Sequence, residues 1–208
     1  MAAAYKLYGR PFSGSFAVQV ALEEIGAPYE RIWVGHEAAD LARYRELNPT
    51  ARVPGLALPD GSLMFESAAM LIHLALAHPA ARLAPQPGTS RHAEFLQWMV
   101  FLSANVYEAA LRCYYSERYS VRGAADADAI RQRGTADFNA YLGLISGRLE
   151  PYVLQSDYSI ADVYLYMLAS WCPGDKAELN ARMPKLAAHT LQLATRPAVA
   201  KVAADHAA

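Results

Sequence analysis

Val53-Pro54-Gly55-Leu56-Ala57-Leu58-Pro59-Asp60-Gly61-Ser62-Leu63-Met64-Phe65-Glu66-Ser67 is the stretch on which the fold turns. Residues 53–58 and 62–65 flank Pro59-Asp60-Gly61, and Asp-Gly supplies the positive φ of a tight turn, so they read as a hairpin. Ser67 to Ala77 follows as a nearly continuous apolar helix. Working back, Tyr29 to Val34 is aromatic and β-branched and reads as a strand, while residues 36–47 are mixed polar and read as a short helix. Phe16 to Ile25 places Val18, Ala21, Leu22 and Ile25 at i, i+3, i+4 and i+7, and Gly26 sits where a helix-ending glycine belongs. Tyr5 to Tyr8 is a strand ending in Gly9. The order is β-α-β-α-β-β-α, an α/β domain.

Residues 79–90 hold three prolines and a glycine, which marks a domain boundary. Beyond it no strand pattern recurs. Helices are predicted over 91–118, 126–149, 159–171, 176–193 and 196–205. Ser159-Ile160-Ala161-Asp162 has capping-box spacing ahead of the apolar run Val163 to Trp171.

The chain has 208 residues, 54% of them hydrophobic and 19% charged, so a sizeable core is available. A formal net charge of -1 argues against a nucleic-acid partner, which calls for a basic face. Cys113 and Cys172 are too few and too far apart for a disulfide framework or a Cys-x-x-Cys motif. The first residues carry no basic cluster ahead of a long apolar run. No apolar stretch reaches a membrane span, and a cytoplasmic protein with no membrane partner is expected.

Several motifs fail on inspection. Gly9-Arg-Pro-Phe-Ser-Gly14 has phosphate-loop glycine spacing but lacks the following Lys. His36-Glu37-Ala38-Ala39-Asp40 has Asp where a zinc helix needs its second His, and the scattered histidines offer no metal-ligand pair. Proline disqualifies Asn48-Pro49-Thr50 as a glycosylation site.

Three places in the first domain read as one candidate site. Ser13-Gly14-Ser15 precedes a helix whose N-terminus favours an anion, although Ser15 also reads as a plain helix cap. At Val53-Pro54, a cis bond would turn the Val53 amide and carbonyl outward to pair with an extended peptide. At Glu66-Ser67, the Ser and the helix amides suit a carboxylate and Glu66 an ammonium; taken alone, Ser67 reads better as a simple cap. Together they suit a small peptide with a reactive thiol.

The chain resembles the cytosolic glutathione transferases, of bacterial beta-, theta-like or serine type. The likeness rests on Asn48-Pro49-Thr50-Ala51-Arg52-Val53-Pro54-Gly55-Leu56, Phe65-Glu66-Ser67-Ala68-Ala69-Met70, Ser159-Ile160-Ala161-Asp162 and Arg196-Pro197-Ala198-Val199. It implies a thioredoxin-like α/β N-terminal domain (βαβαββα, residues 1–80), a linker at about 79–90, and an all-α helical-bundle domain (residues 88–208), assembled as a homodimer. By that resemblance Val53, before Pro54, pairs with the cysteinyl part of glutathione and Glu66 and Ser67 take its γ-glutamyl end. Arg52 meets the glycyl carboxylate or the γ-glutamyl region. The beta-class register puts Gly14 at that class's cysteine and Ser15 on its following serine, whereas the serine-type classes match Ser13 to their catalytic position with one residue deleted afterwards. The resemblance thus implies Ser13, with Ser15 as the close alternative, as the residue that holds the thiolate. The implied co-substrates are glutathione and a small hydrophobic electrophile, with no further cofactor and no metal. Asn105, Tyr107 and Tyr114 are the electrophile-site candidates. The expected activity is conjugation, or glutathione-dependent reduction, in detoxification; the alternative is a binding or regulatory protein of this fold without turnover.

Overall fold

The computed structural model describes residues 4–207; Met1–Ala3 and Ala208, which fall within the expected domain bounds, lie outside the described residues. Two compact units emerge: the chain up to Ala84 joined by the segment from Thr195 onward, and Pro85–Ala194.

In the first unit, β1 (Tyr5–Gly9) alternates buried Tyr5, Leu7 and Gly9 with outward Lys6. α1 (Ser15–Ile25) is buried from Ser15 through Leu22 and ends at Gly26, whose φ of +64° is a conformation glycine adopts without a Cβ clash. β2 (Tyr29–Trp33) lies parallel to β1, and α2 (Ala38–Leu47) leads towards β3 (Gly55–Ala57). β3 is antiparallel to both β1 and β4 (Leu63–Phe65), giving the sheet order β2-β1-β3-β4. α3 (Ser67–Ala77) completes the βαβαββα order read from the sequence.

In the second unit, α4 (Ser90–Phe101) is capped by Thr89, whose hydroxyl oxygen accepts from the His92 amide at 3.1 Å. A π-helical stretch, Leu102–Tyr107, connects it to α5 (Glu108–Tyr114), followed by a short 3-10 turn, Ser116–Tyr119. The single helix expected over 91–118 is thus interrupted. The wider π turn lets both Leu102 and Val106 stay fully buried, a packing demand that no Gly or Pro announces. α6 (Ala124–Arg148), α7 (Ile160–Ser170), α8 (Lys176–Arg182) and α9 (Pro184–Ala194) follow; α7 is buried along most of its length, α6 and α7 both pack against α9, and α8 lies outside them. The helix expected over 176–193 divides at Pro184, which has no N–H to continue a ladder and suits the first position of a new helix. The capping box forms at Ser159. Asp162, fully buried, accepts the amides of Ser159 at 2.8 Å and Val153 at 2.7 Å and meets His189 Nε2 at 3.0 Å.

α10 (Pro197–Ala207), counted with the helical domain in sequence order, packs on α1 in the first unit. Arg196 makes a two-pronged bond to Glu24 at 2.8 and 2.9 Å, and Lys201 reaches Glu23 at 2.8 Å. Among the described residues no helix is long and apolar enough to cross a membrane, and no group of three or more His, Cys, Asp or Glu could hold a metal.

Candidate functional site

Tyr8 faces Gly55 and Gly55 faces Phe65 across the sheet. At that row β1 leaves into residues 10–14, β3 is entered from Val53-Pro54, and β4 leaves into Glu66-Ser67. Strand pairing therefore brings the three segments singled out from the sequence to one end of one sheet, although they lie far apart in the chain.

The β1 side is built around Gly9. A Cβ there would stand 2.3 Å from Ser15 Oγ, so the missing side chain is what admits the Ser15 hydroxyl, which is wholly buried. Gly14, not Ser15, is the N-cap of α1, and it makes no side-chain bond. Ser13 and Ser15 both donate to one acceptor, the Arg10 carbonyl, at 2.8 and 3.1 Å, and lie 3.0 Å from each other. Ser13 Oγ in turn accepts from the amides of Arg10 and Ser15, each at 3.3 Å. Ser13 is half-buried. The turn between them is tight enough to hold exposed Phe12 at φ +53°, a left-handed conformation unusual for a bulky residue.

The β3 side is built around Gly55, where a Cβ would meet the Tyr44 hydroxyl at 2.5 Å. That hydroxyl donates to the Arg52 carbonyl at 3.0 Å, and Asn48 Nδ2 donates to the same oxygen at 2.9 Å. Asn48 Oδ1 accepts from the Thr50 amide at 3.1 Å and the Thr50 hydroxyl at 2.8 Å. Asn48 is fully buried, so Asn48-Pro49-Thr50 acts as the frame that fixes the loop ahead of Val53. Burial raises the Tyr44 pKa, which keeps its hydroxyl a donor. The Val53–Pro54 peptide bond is cis. Among the described residues the Val53 amide and carbonyl make no hydrogen bond. The Arg52 side chain is exposed.

At the β4 side, Glu66 is the residue preceding the helix, with φ +71°, and Ser67 is the buried first residue of α3. Sequence reading placed the cap at Ser67; the strained backbone of Glu66 shifts it back by one. The α3 ladder begins with the Met70 amide on the Glu66 carbonyl at 3.0 Å, leaving the amides before it outside the ladder.

In the second unit Asn105 lies in the π stretch. Tyr107 sets its ring perpendicular to Trp171 at 5.1 Å, and the exposed Tyr114 donates its hydroxyl to the Trp171 carbonyl. Both tyrosines therefore meet at Trp171.

Three participants went unnoticed in the sequence. Tyr44 is the one buried residue of α2, a signal visible as a lone aromatic in a polar helix. Arg10 donates to the carbonyls of Val34 and Gly35 at 3.1 and 3.2 Å and forms no ion pair among the described residues. His206 reaches the Phe12 amide from the far end of the chain.

Residues 13–77 match the family model for the glutathione S-transferase N-terminal domain. The chain is 31% identical over 175 residues to the uncharacterized GST-like protein YncG of Escherichia coli K12, covering 81% of this chain and 82% of that one. The chain belongs to the glutathione S-transferase family. Among solved structures of glutathione transferases, a Sulfitobacter homolog with bound glutathione superposes with a TM-score of 0.88 at 28% identity, covering 98% of each chain. The beta-class enzyme of Sphingomonas chungbukensis superposes at 0.80 with 25% identity, over 97% of this chain and 98% of that one. The thioredoxin-like βαβαββα domain followed by a helical domain is thus the glutathione transferase fold, as the resemblance implied.

Proposed function

We propose that this protein is a glutathione transferase that holds glutathione across the Tyr8–Gly55–Phe65 row and presents its thiolate at Ser13. What carries the reading is the convergence of an unpaired Val53 backbone, a helix N-terminus at Glu66-Ser67 and a hydroxyl-lined turn at one sheet end. Two inter-strand spacings separate β1 from β4, about 10 Å, which is also roughly the span of an extended tripeptide. Val53 would pair with the cysteinyl backbone ahead of Pro54, and Glu66 and Ser67 would take the ammonium and carboxylate of the γ-glutamyl end. Arg52, exposed beside them, supplies a cation for a carboxylate.

The two serines divide the work. The Arg10 carbonyl has two hydroxyl donors and needs one. Ser13 can therefore rotate its proton onto a sulfur anion while buried Ser15 keeps the carbonyl satisfied. The two amides donating to Ser13 Oγ polarise its hydroxyl and strengthen it as a donor. Lowering a thiol from about 8.5 by two units requires about 2.7 kcal/mol. A hydrogen bond to a charged group contributes about 1.5–3 kcal/mol, and the N-terminus of α1 adds to it. The serine stays protonated and acts as an oxyanion-hole donor does. With Gly14 at the beta-class cysteine position, no mixed disulfide forms at this turn. The thiolate then attacks a hydrophobic electrophile, with Asn105, Tyr107 and Tyr114 as the contact candidates, or serves a glutathione-dependent reduction. A cytoplasmic homodimer acting in detoxification completes the reading; exposed Val100 and Leu144 are apolar residues for a second copy to cover.

Calorimetric titration with glutathione tests this, followed by the ultraviolet absorbance of the bound thiolate against pH. The expected result is binding with a lowered thiol pKa. Binding with an unshifted thiol would support a ligand-holding protein of this fold instead, and no binding at millimolar glutathione would refute the site.

A further inference from the structure

Near the C-terminus, α10 ends on a buried imidazole that no part of the proposed chemistry uses. His206 is 2% exposed and lies edge-on to Phe12, Phe16 and Trp33, with ring centroids 6.0, 5.2 and 5.1 Å away. Its Nδ1 accepts the Phe12 amide at 3.0 Å. Because an amide can only donate, Nδ1 carries no proton, and the ring proton sits on Nε2, which donates to Gln19 Oε1 at 3.0 Å. Gln19 is fully buried, and its Nε2 donates to Asp205 at 2.8 Å and to the Tyr29 hydroxyl at 3.0 Å. The Tyr29 hydroxyl in turn donates to Glu23 Oε1 at 2.6 Å. The Phe12 amide at Nδ1 and the acceptors around the Gln19 Nε2 thereby fix the tautomer and the amide orientation.

The Phe12 amide nitrogen is three bonds along the backbone from that of Ser13, in the residue held at φ +53°. A bulky side chain adopts that conformation only under external restraint. We propose that His206 is a positioning residue: its neutral imidazole clamps the Phe12 amide and thereby sets the turn on which Ser13 Oγ meets the thiol. The proposal rests on the glutathione-transferase reading of that turn. Three observations support it independently of any ligand: the 3.0 Å bond, the left-handed Phe12, and the three aromatic edges that exclude water from the ring. Burial, helped by the neighbouring Arg31 charge and opposed by Asp205, pushes the His206 pKa down to about 4, which keeps the acceptor nitrogen bare at neutral pH. Those two are the charged groups facing the ring, Arg31 from β2 and Asp205 from α10; α1 presents neutral Phe16 and Gln19. The last helix of the chain is thereby made part of the site in the first unit.

His206→Leu removes the acceptor and keeps the volume, whereas His206→Asn restores an oxygen where Nδ1 stood. Both full-length variants are to be compared with the parent in steady-state conjugation, bound-thiol titration and amide hydrogen exchange. With His206→Leu we expect kcat to fall about tenfold, the KM for glutathione to stay within about twofold, and the bound thiol pKa to rise, since a small misplacement at a reacting centre costs tenfold or more. Exchange at the Phe12 amide should speed up, and His206→Asn should recover both the rate and the protection. A lower melting temperature with unchanged kcat and thiol pKa would reduce His206 to a packing residue and overturn the proposal. So would unchanged Phe12 protection in His206→Leu. If the parent itself fails to bind glutathione, the functional reading falls, while the exchange measurement still decides whether His206 holds the turn. Should His206→Leu fail to fold, His206→Asn against His206→Gln, which offers its oxygen at the Nε2 position instead, decides the matter by the same readouts.

Discussion

The two strand ends that frame the site are each built around a glycine that admits a hydroxyl, yet they do opposite things with it. At Gly55 the Tyr44 hydroxyl, with Asn48, occupies the Arg52 carbonyl and leaves the next residue, Val53, with an open backbone. At Gly9 the Ser15 hydroxyl, with Ser13, converges on the Arg10 carbonyl and leaves one donor in surplus. The first arrangement suits recognition of a peptide backbone, the second stabilisation of an anion. Under the proposed function, similar local parts, a glycine and a buried hydroxyl, would serve binding in one place and chemistry in the other.

The sharpest way to break that comparison is Gly9→Ala. Its Cβ would lie 2.3 Å from Ser15 Oγ and 2.4 Å from Ser15 Cβ, atoms fixed to the backbone of α1. We expect a loss of about 3 kcal/mol, the upper end of overpacking costs, read by urea unfolding. Acid comes next, acting on the β1 side through His206. His206 has a folded pKa lowered from 6.5 to about 4, so its neutral form stabilises the fold fully above pH 6.5. That contribution declines as pH falls from 6.5 towards about 4, by up to about 3 kcal/mol, and is absent in His206→Leu. Parallel unfolding curves for the parent and His206→Leu across this range would contradict it.

Gly55→Ala should be milder, about 1–2 kcal/mol, because the atom it meets is the tip of the Tyr44 ring, which has more freedom to shift. Its mark should be on glutathione affinity, with the bound thiol pKa unmoved; a shift in that pKa would merge the two roles. Smallest in stability is Ser15→Ala, about 1 kcal/mol for one neutral hydrogen bond, measured by thermal unfolding, with a modest fall in kcat because Ser13 must then satisfy the Arg10 carbonyl itself. A large fall in kcat would move the thiolate donor from Ser13 to Ser15.

Much of this unit was legible in the sequence because its signals are local. The Asp60-Gly61 turn fixed the hairpin, Gly26 ended α1, and Ser67 to Ala77 gave α3 at its observed bounds. Val53, Glu66 and Ser13 were grouped by their chemistry, and the Tyr8–Gly55–Phe65 pairing sets the segments that carry them at one end of the sheet. Other features have no local signature. The His206–Phe12 bond joins residues 194 apart, and the π stretch at Leu102–Tyr107 answers to packing inside the second unit. Pro184 did carry a signal, a proline at a helix start, that helical spacing over 176–193 masked. The direction of the Ser13 and Ser15 hydroxyls depends on one shared carbonyl, and no sequence pattern encodes that.

The central claim is that Ser13 holds the thiolate while Ser15 holds the turn. Titrating the ultraviolet absorbance of bound glutathione against pH, in the parent and in Ser13→Ala, tests it most directly. The account predicts a thiol pKa lowered by about two units in the parent, and a return of at least one unit towards the free value in Ser13→Ala with affinity kept. The same lowered pKa in both proteins would contradict it.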